Sequence, residues 1–214
     1  MGNYYTKFQD HIGKIDRGAW VEIGVDRGEG STQFFSNLAK DHATRFYAVD
    51  ADIDQINRIQ NTLKVDEQIP DHITVLHSTG ETFLKEYVQN AQGNKISFVY
   101  LDNFDWDYQL NDEGESPGVY QDHKDNYRNK FGLEMTNINS QIAHLQQAIC
   151  LVSLDLLSDN CVIVCDDTWY MPKEGIYSGK CSAVVPYLLA NGFKELNREG
   201  FRNNSGCIFG RFKD

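Results

Sequence analysis

Residues 20–32 read Trp-Val-Glu-Ile-Gly-Val-Asp-Arg-Gly-Glu-Gly-Ser-Thr, WVEIGVDRGEGST. Trp20, Val21 and Ile23, with Glu22 among them, form an apolar run that gives way to Gly24, Gly28 and Gly30 and then to Ser31 and Thr32. The run reads as a strand and the glycines as a tight turn. Beyond them Phe34, Phe35 and Leu38 recur at helical spacing. A strand that enters a helix through a glycine turn is half of a βαβ unit. Fold class then depends on whether the pattern repeats.

It repeats along the chain. Residues 46–49 (FYAV), 73–76 (ITVL), 96–101 (ISFVYL) and 161–165 (CVIVC) read as four further strands. The fourth, 96–101, is nearly continuous in apolar residues, as a strand covered on both faces should be. Helical stretches separate them: 53–63, with Ile53, Ile56, Ile59 and Leu63 on one face, then about 82–88, then a long one from about 137 to 157. A helix over 183–190 stops at Asn191-Gly192, and 193–196 and 207–212 read as closing strands. We expect an α/β fold: a doubly wound, mostly parallel seven-stranded sheet with helices on both faces and an antiparallel last strand. One domain over 1–214 is expected, with an insertion at about 103–136 that is too long for a plain connection.

Composition narrows the function classes. The chain has 214 residues, 41% hydrophobic and 24% charged, and a formal net charge of −11. That balance suits one globular domain with a sizeable core, and the field repels phosphate backbones and anionic lipid. Nucleic acid is therefore disfavoured as a partner, and no apolar run is long enough to span a bilayer. The first residues lack the apolar core of a secretory signal, and the five cysteines are odd in number. They read as reduced thiols in a cytoplasmic protein. Cys161 and Cys165 would share one face of a strand as small hydrophobes, which is a simpler role than metal binding. A homodimer stays open.

In parallel sheets of this kind ligands bind outside the carboxyl ends of the strands. Gly24, Gly28 and Gly30 allow close approach of backbone to a ligand, and a helix starting near Ser31 and Thr32 offers unpaired N–H groups. Asp50 ends the second strand at the interval, about 20 residues, where a carboxylate accepts from ribose hydroxyls. Together they indicate a nucleoside-containing cofactor. The third strand is followed by Ser78, Thr79 and Gly80, the fourth by Asp102, the fifth by Asp166 and Asp167. An aspartate at a strand end also caps turns, so each of the three carries that simpler reading too.

The stretch 21–32, VEIGVDRGEGST, resembles motif I of the class I S-adenosylmethionine-dependent methyltransferases, an acidic residue and spacer before G-x-x-x-G. The resemblance runs from Trp20 to Phe212. It implies that Gly24, Gly28 and neighbouring backbone cradle the methionine part, that Glu22 supports the loop, that Asp50 holds the ribose, and that Ser78, Thr79 and Gly80 flank the adenine. Asp102, Asp166 and Asp167 resemble the divalent-metal ligands of catechol-type and of macrocin and mycinamicin sugar O-methyltransferases. A hard cation such as Mg²⁺ prefers oxygen donors, usually keeps several waters, and makes a substrate hydroxyl easier to deprotonate for attack on the sulfonium methyl. The expected activity is metal-dependent O-methylation of a small hydroxylated acceptor.

The catechol-type pattern has a lysine three residues beyond its first metal ligand, where this chain has Asp105. Another base or the metal alone must serve, and the insertion supplies candidates in His123 and Lys124 beside Tyr120. We expect the insertion to form a substrate lid in which Trp106, Tyr108 and Tyr120 face the acceptor; a solvated excursion is the alternative. His144 reads as a helix-face residue near the core edge. Metal-free methyl transfer and a non-catalytic binding module stay open. So does a short-chain oxidoreductase, since Tyr120-x-x-x-Lys124 and the glycine spacing match that family's letters. In that family, however, the tyrosine and lysine follow the fifth strand, whereas here they precede it.

Overall fold

The structure is a computed structural model that describes residues 4–25, 30–90, 93–107, 117–198 and 205–213, with only the backbone for 117–120. Its main sheet has seven strands: β1 (Ala19–Ile23), β2 (Phe46–Asp50), β3 (Ile73–His77), β4 (Ile96–Leu101), β5 (Leu157–Asp166), β8 (Lys194–Arg198) and β9 (Gly206–Arg211). The order across it is β3-β2-β1-β4-β5-β9-β8. All neighbours are parallel except β9, which runs antiparallel to both β5 and β8. This is the doubly wound sheet with one antiparallel strand that the alternation of elements implies.

Period-two alternation divides the core between the two faces. Val21, Ile23, Val99, Leu101, Ile163 and Cys165 point to one side, where α3 (Gly80–Asn90), α5 (Asn137–Ser153) and α6 (Val184–Ala190) cover them. Trp20, Phe98, Tyr100, Val162 and Val164 point to the other, beneath α1 (Ser31–Asp41), α2 (Ile53–Thr62) and an N-terminal 3₁₀ helix, Tyr4–Lys14. Since both faces are covered, β1 and β4 are apolar at every position except Glu22 and Ser97, and both of those are fully buried.

The structure departs from expectation in five places. The long helix ends at Ser153, and β5 begins at Leu157 rather than at 161, gaining length through an irregularity against β4 between Ile96 and Phe98. Ile53, expected on the buried face of α2, is 48% exposed because the helix turns its Ile56 and Ile59 inward. The insertion contains a helix, α4 (Pro117–Phe131), with little apolar periodicity to reveal it. After β5 the chain makes a hairpin, β6 (Thr168–Met171) with β7 (Ile176–Gly179), outside the main sheet. The 3₁₀ helix packs Phe8 flat on Phe98, 3.8 Å between ring centroids, and edge-on to Trp20 at 5.1 Å.

Phe8 is fully buried in this aromatic cluster, so its truncation removes packing that the rigid sheet cannot replace. Phe8→Ala should lower the unfolding free energy by about 3–5 kcal/mol in urea titrations. A loss below about 1 kcal/mol would show that the 3₁₀ helix does not belong to the core.

Candidate functional site

Strand register places the expected residues in one row. Asp50 pairs with His77, and Asp166 with Gly206. Between them, Ile23 pairs with Val49 and Leu101, and Leu101 with Cys165, so Gly24 and Asp102 follow one residue beyond the ladder. The row lies where strand order reverses, on either side of the gap between β1 and β4, which is where such sheets bind ligands. Gly24 has φ +90°, and a Cβ there would lie 2.3 Å from the backbone N of Asn103 and 2.5 Å from the carbonyl carbon of Asp102. Only glycine lets these strand ends pass so closely.

On the β1–β2 side, Glu22 is fully buried, and neither carboxylate oxygen has a hydrogen-bond partner among the described residues. Burial pushes its pKa up to about 8; the Ser31 and Thr32 hydroxyls nearby oppose this although they fall short of hydrogen-bond geometry, while Asp102 and Asp50 add to it. The helix beside it, α1, starts after Gly30 with no side-chain cap. Asp50 accepts from the N–H of Val25 at 3.0 Å and of Asp52 at 2.7 Å, which fixes its carboxylate at the mouth of the turn. Thr32 is buried with its hydroxyl 3.4 Å from the Val25 carbonyl. Thr79 caps α3, its Oγ1 accepting from the Thr82 N–H at 3.2 Å; Ser78 beside it donates to the Thr79 carbonyl, and Gly80 is buried against Ile23 and Gln147. Gly28 lies outside the described residues.

On the β4–β5 side, Asp102, Asp166 and Asp167 each offer an oxygen, and these three atoms lie within 4.8 Å of one another. Asp167 holds φ +43°, in the left-handed region that costs a non-glycine residue conformational energy, and Phe104, just past Asp102, holds φ +60°. Into this cluster comes a residue absent from the sequence expectations, Lys180. Its Nζ is 2.7 Å from Asp102 Oδ1 and 3.1 Å from Asp167 Oδ2, with the side chain only 6% exposed. Burial alone would discharge the ammonium, but Asp102, Asp167 and Asp166 outweigh it and hold its pKa well above the usual lysine value. Burial and the charges of Asp102 and Asp167 push Asp166 well above the carboxylate range. Burial also raises Asp102, with Asp167 adding to it and Lys180 opposing.

The β6–β7 hairpin delivers Lys180. Its strands flank Pro172-Lys173-Glu174-Gly175, where Gly175 has φ +69°, and Tyr170 faces Tyr177 across the ladder. At the hairpin base the Lys180 N–H donates to the Asp167 carbonyl at 3.0 Å. A proline–glycine turn flanked by Trp169-Tyr170 on one side and Tyr177 on the other is a legible hairpin signal, and following it would have led to Lys180.

The insertion folds back over the rim. On α4, His123 Nδ1 lies 3.3 Å from Asp105 Oδ2, and Lys124 Nζ lies 2.6 Å from Asp107 Oδ2. The Tyr127 hydroxyl accepts from the Asp105 N–H at 2.8 Å, and Lys130 Nζ reaches Asp52 at 2.8 Å and Asp54 at 2.5 Å. Thus α4 spans from the loop after β4 to the start of α2. Trp106 is buried edge-on against Trp169 at 6.1 Å rather than open to solvent. Tyr108 and the Tyr120 side chain lie outside the described residues. His144 is fully buried, not at the core edge; burial lowers its pKa to about 3, and its Nδ1 meets the Ser140 carbonyl at 2.7 Å.

No protein-family model and no curated protein matches the chain by sequence. Solved structures match by shape. A chain assigned as an rRNA methylase from Clostridium thermocellum has a TM-score of 0.58 at 11% identity, covering 98% of this chain and 96% of its own. The methyltransferase PaMTH1 of Podospora anserina, bound to S-adenosylhomocysteine (SAH), scores 0.55 at 14% identity and 99% and 76% coverage. An O-methyltransferase from Bacillus cereus with SAH scores 0.54 at 14% identity, with 99% and 80% coverage. The fold is the Rossmann-like methyltransferase fold.

Glu22 yields a pH test. Its folded pKa, about 8, exceeds the ordinary glutamate value of 4.5, so the folded chain keeps a proton that the unfolded chain releases between those values. Its contribution to stability therefore falls as pH rises from 4.5 to about 8 and is constant above, a cost on the order of 3 kcal/mol near pH 7. Glu22→Gln should melt higher than the wild type without cofactor, by a margin that widens over this window. A margin independent of pH would place the charge elsewhere.

Proposed function

We propose that the chain is an S-adenosylmethionine-dependent methyltransferase that methylates a hydroxyl oxygen of a small acceptor. The observation that carries this reading is the charge of the crevice. Glu22, Asp50, Asp102, Asp166 and Asp167 line the switch point around one buried ammonium, Lys180. A cationic sulfonium suits that field, whereas the pyrophosphate of a dinucleotide would meet repulsion. The fold is shared with methyltransferases that bind SAH. In this reading Gly24, Gly28, Gly30, Ser31 and Thr32 hold the amino-acid end, with orphaned Glu22 supporting them. Asp50 takes the ribose, and Ser78, Thr79 and Gly80 flank the adenine.

Asp102, Asp166 and Asp167 are the proposed ligands of a divalent cation, most simply Mg²⁺. The residues fit it: three carboxylates share one ammonium, and burial, with the neighbouring carboxylates adding to it, raises the pKa values of Asp102 and Asp166. Such a cation would supply Lewis acidity toward an acceptor oxygen. His123, its Nδ1 held by Asp105, has the carboxylate–imidazole form of a general base and is the proton acceptor we propose, with Lys124 beside it. The buried Trp106–Trp169 pair would wall the acceptor side, and α4 would close over the cofactor through Lys130 and Asp52. Lys180 favours a second reading, in which its ammonium serves in place of the metal. A nucleic-acid acceptor fits poorly with a net charge of −11.

Calorimetry should show S-adenosylmethionine and SAH binding and no heat from NADH; the reverse pattern would sink the assignment. With labelled cofactor and a panel of catechols, glycosides and macrolides, Asp166→Asn and a chelator should each cut methyl transfer by about a hundredfold or more. Activity surviving both would leave the metal-free reading. Lys130→Ala should speed SAH release in stopped flow several-fold, and an unchanged rate would mean that α4 is not a lid.

A further inference from the structure

The acidic rim already contains a cation, and that cation is part of the chain. Lys180 Nζ lies at hydrogen-bonding distance from Asp102 and from Asp167, whose ligand oxygens lie within 4.8 Å of each other and of Asp166. A divalent ion of the Mg²⁺ type needs carboxylate oxygens at about 2.0–2.1 Å. It must therefore use the same gap, and two cations at that separation repel strongly in a partly buried site.

The backbone holds Lys180 there deliberately. Gly179, with φ +98°, is pressed so closely on Asp167 that a Cβ would lie 1.9 Å from the Asp167 carbonyl oxygen and 2.8 Å from the Trp169 ring. Next in the chain, the Lys180 N–H donates to that carbonyl, and the Cys181 N–H donates to Thr168 Oγ1 at 3.0 Å. Residues 179–181 are thus tied to 167–168, which joins the base of the hairpin to the turn that carries Asp167. The flexible part is the lysine side chain, four methylenes and an ammonium.

We infer that Lys180 is an internal competitor for the metal position, its ammonium filling the gap between Asp102 and Asp167 so that a divalent cation enters by displacing it. The inference rests on the reading of Asp102, Asp166 and Asp167 as a metal site and adds its regulation. A displaced ammonium must find new partners or water, because a lone buried charge is costly. Metal affinity is thereby set below what three carboxylates alone would give.

The test is Mn²⁺ binding to the purified full chain without cofactor, followed by the paramagnetic resonance of the free ion. Lys180→Met should bind Mn²⁺ at least tenfold more tightly than the wild type, and Lys180→Arg no more tightly. Because Lys180→Met leaves three carboxylates without a counter-ion, Mn²⁺ should also raise its Tm more than it raises that of the wild type. A variant that folds only when Mn²⁺ is added supports the same conclusion. Equal or weaker binding by Lys180→Met, with no larger shift in Tm, overturns the inference and leaves the metal site standing. Failure of all three proteins to bind Mn²⁺ overturns both, while SAH calorimetry still reports separately on the methyltransferase reading.

Discussion

The near-contact of Gly24 with the Asp102–Asn103 backbone is the constraint on which the rest of the site depends. It brings the ends of β1 and β4 together at the reversal of strand order, and register carries the effect outward to Asp50 on one side and Asp166 on the other. Acidic side chains thus end up at one level of the sheet by arithmetic rather than by loop flexibility. The cost is electrostatic. Burial raises the pKa values of Asp102 and Asp166, their acidic neighbours add to it, and one lysine delivered from outside the main sheet offsets part of the cost.

Glu22 and the aspartate cluster solve the same problem differently. Asp102 and Asp167 have Lys180, whereas Glu22 has neither an ammonium nor a hydrogen-bond donor at proper geometry among the described residues. A buried acid without a partner is a poor stabiliser but a strong acceptor for whatever positive group or N–H the turn presents once it is filled. The left-handed φ values fall at the same place: Asp167 belongs to the cluster, and Phe104 lies two residues past Asp102.

The strands were legible in the sequence because burial on both faces writes them as unbroken apolar runs, and the rim residues because they stand immediately after those runs. Glycine spacing located the switch point for the same reason. What escaped was structure whose signal is short or non-local. Each strand of the hairpin that carries Lys180 is four residues long, and the lysine's partners precede it by 13 and 78 positions. The polar helix α4 is held by ion pairs and Tyr127 rather than by an apolar stripe. His144 lies on a helix that buries polar as well as apolar residues, among them Ser140 and Gln147, so periodicity alone could not place it inside.

The 3₁₀ helix has a consequence for how the molecule assembles. Tyr4 packs on Gly206 and donates to Asn197 across 193 residues of chain, and Phe8 waits for Phe98 on a strand made much later. As the polypeptide leaves the ribosome, this aromatic segment has no surface to rest on until the sheet's middle exists, and Tyr4 has none until β9 closes its far side. Such long-range pairing raises contact order, which goes with slower folding. A nascent chain halted before residue 206 would therefore expose Tyr4 and the open flank of β5 together, an apolar surface beside an unpaired strand edge that favours aggregation.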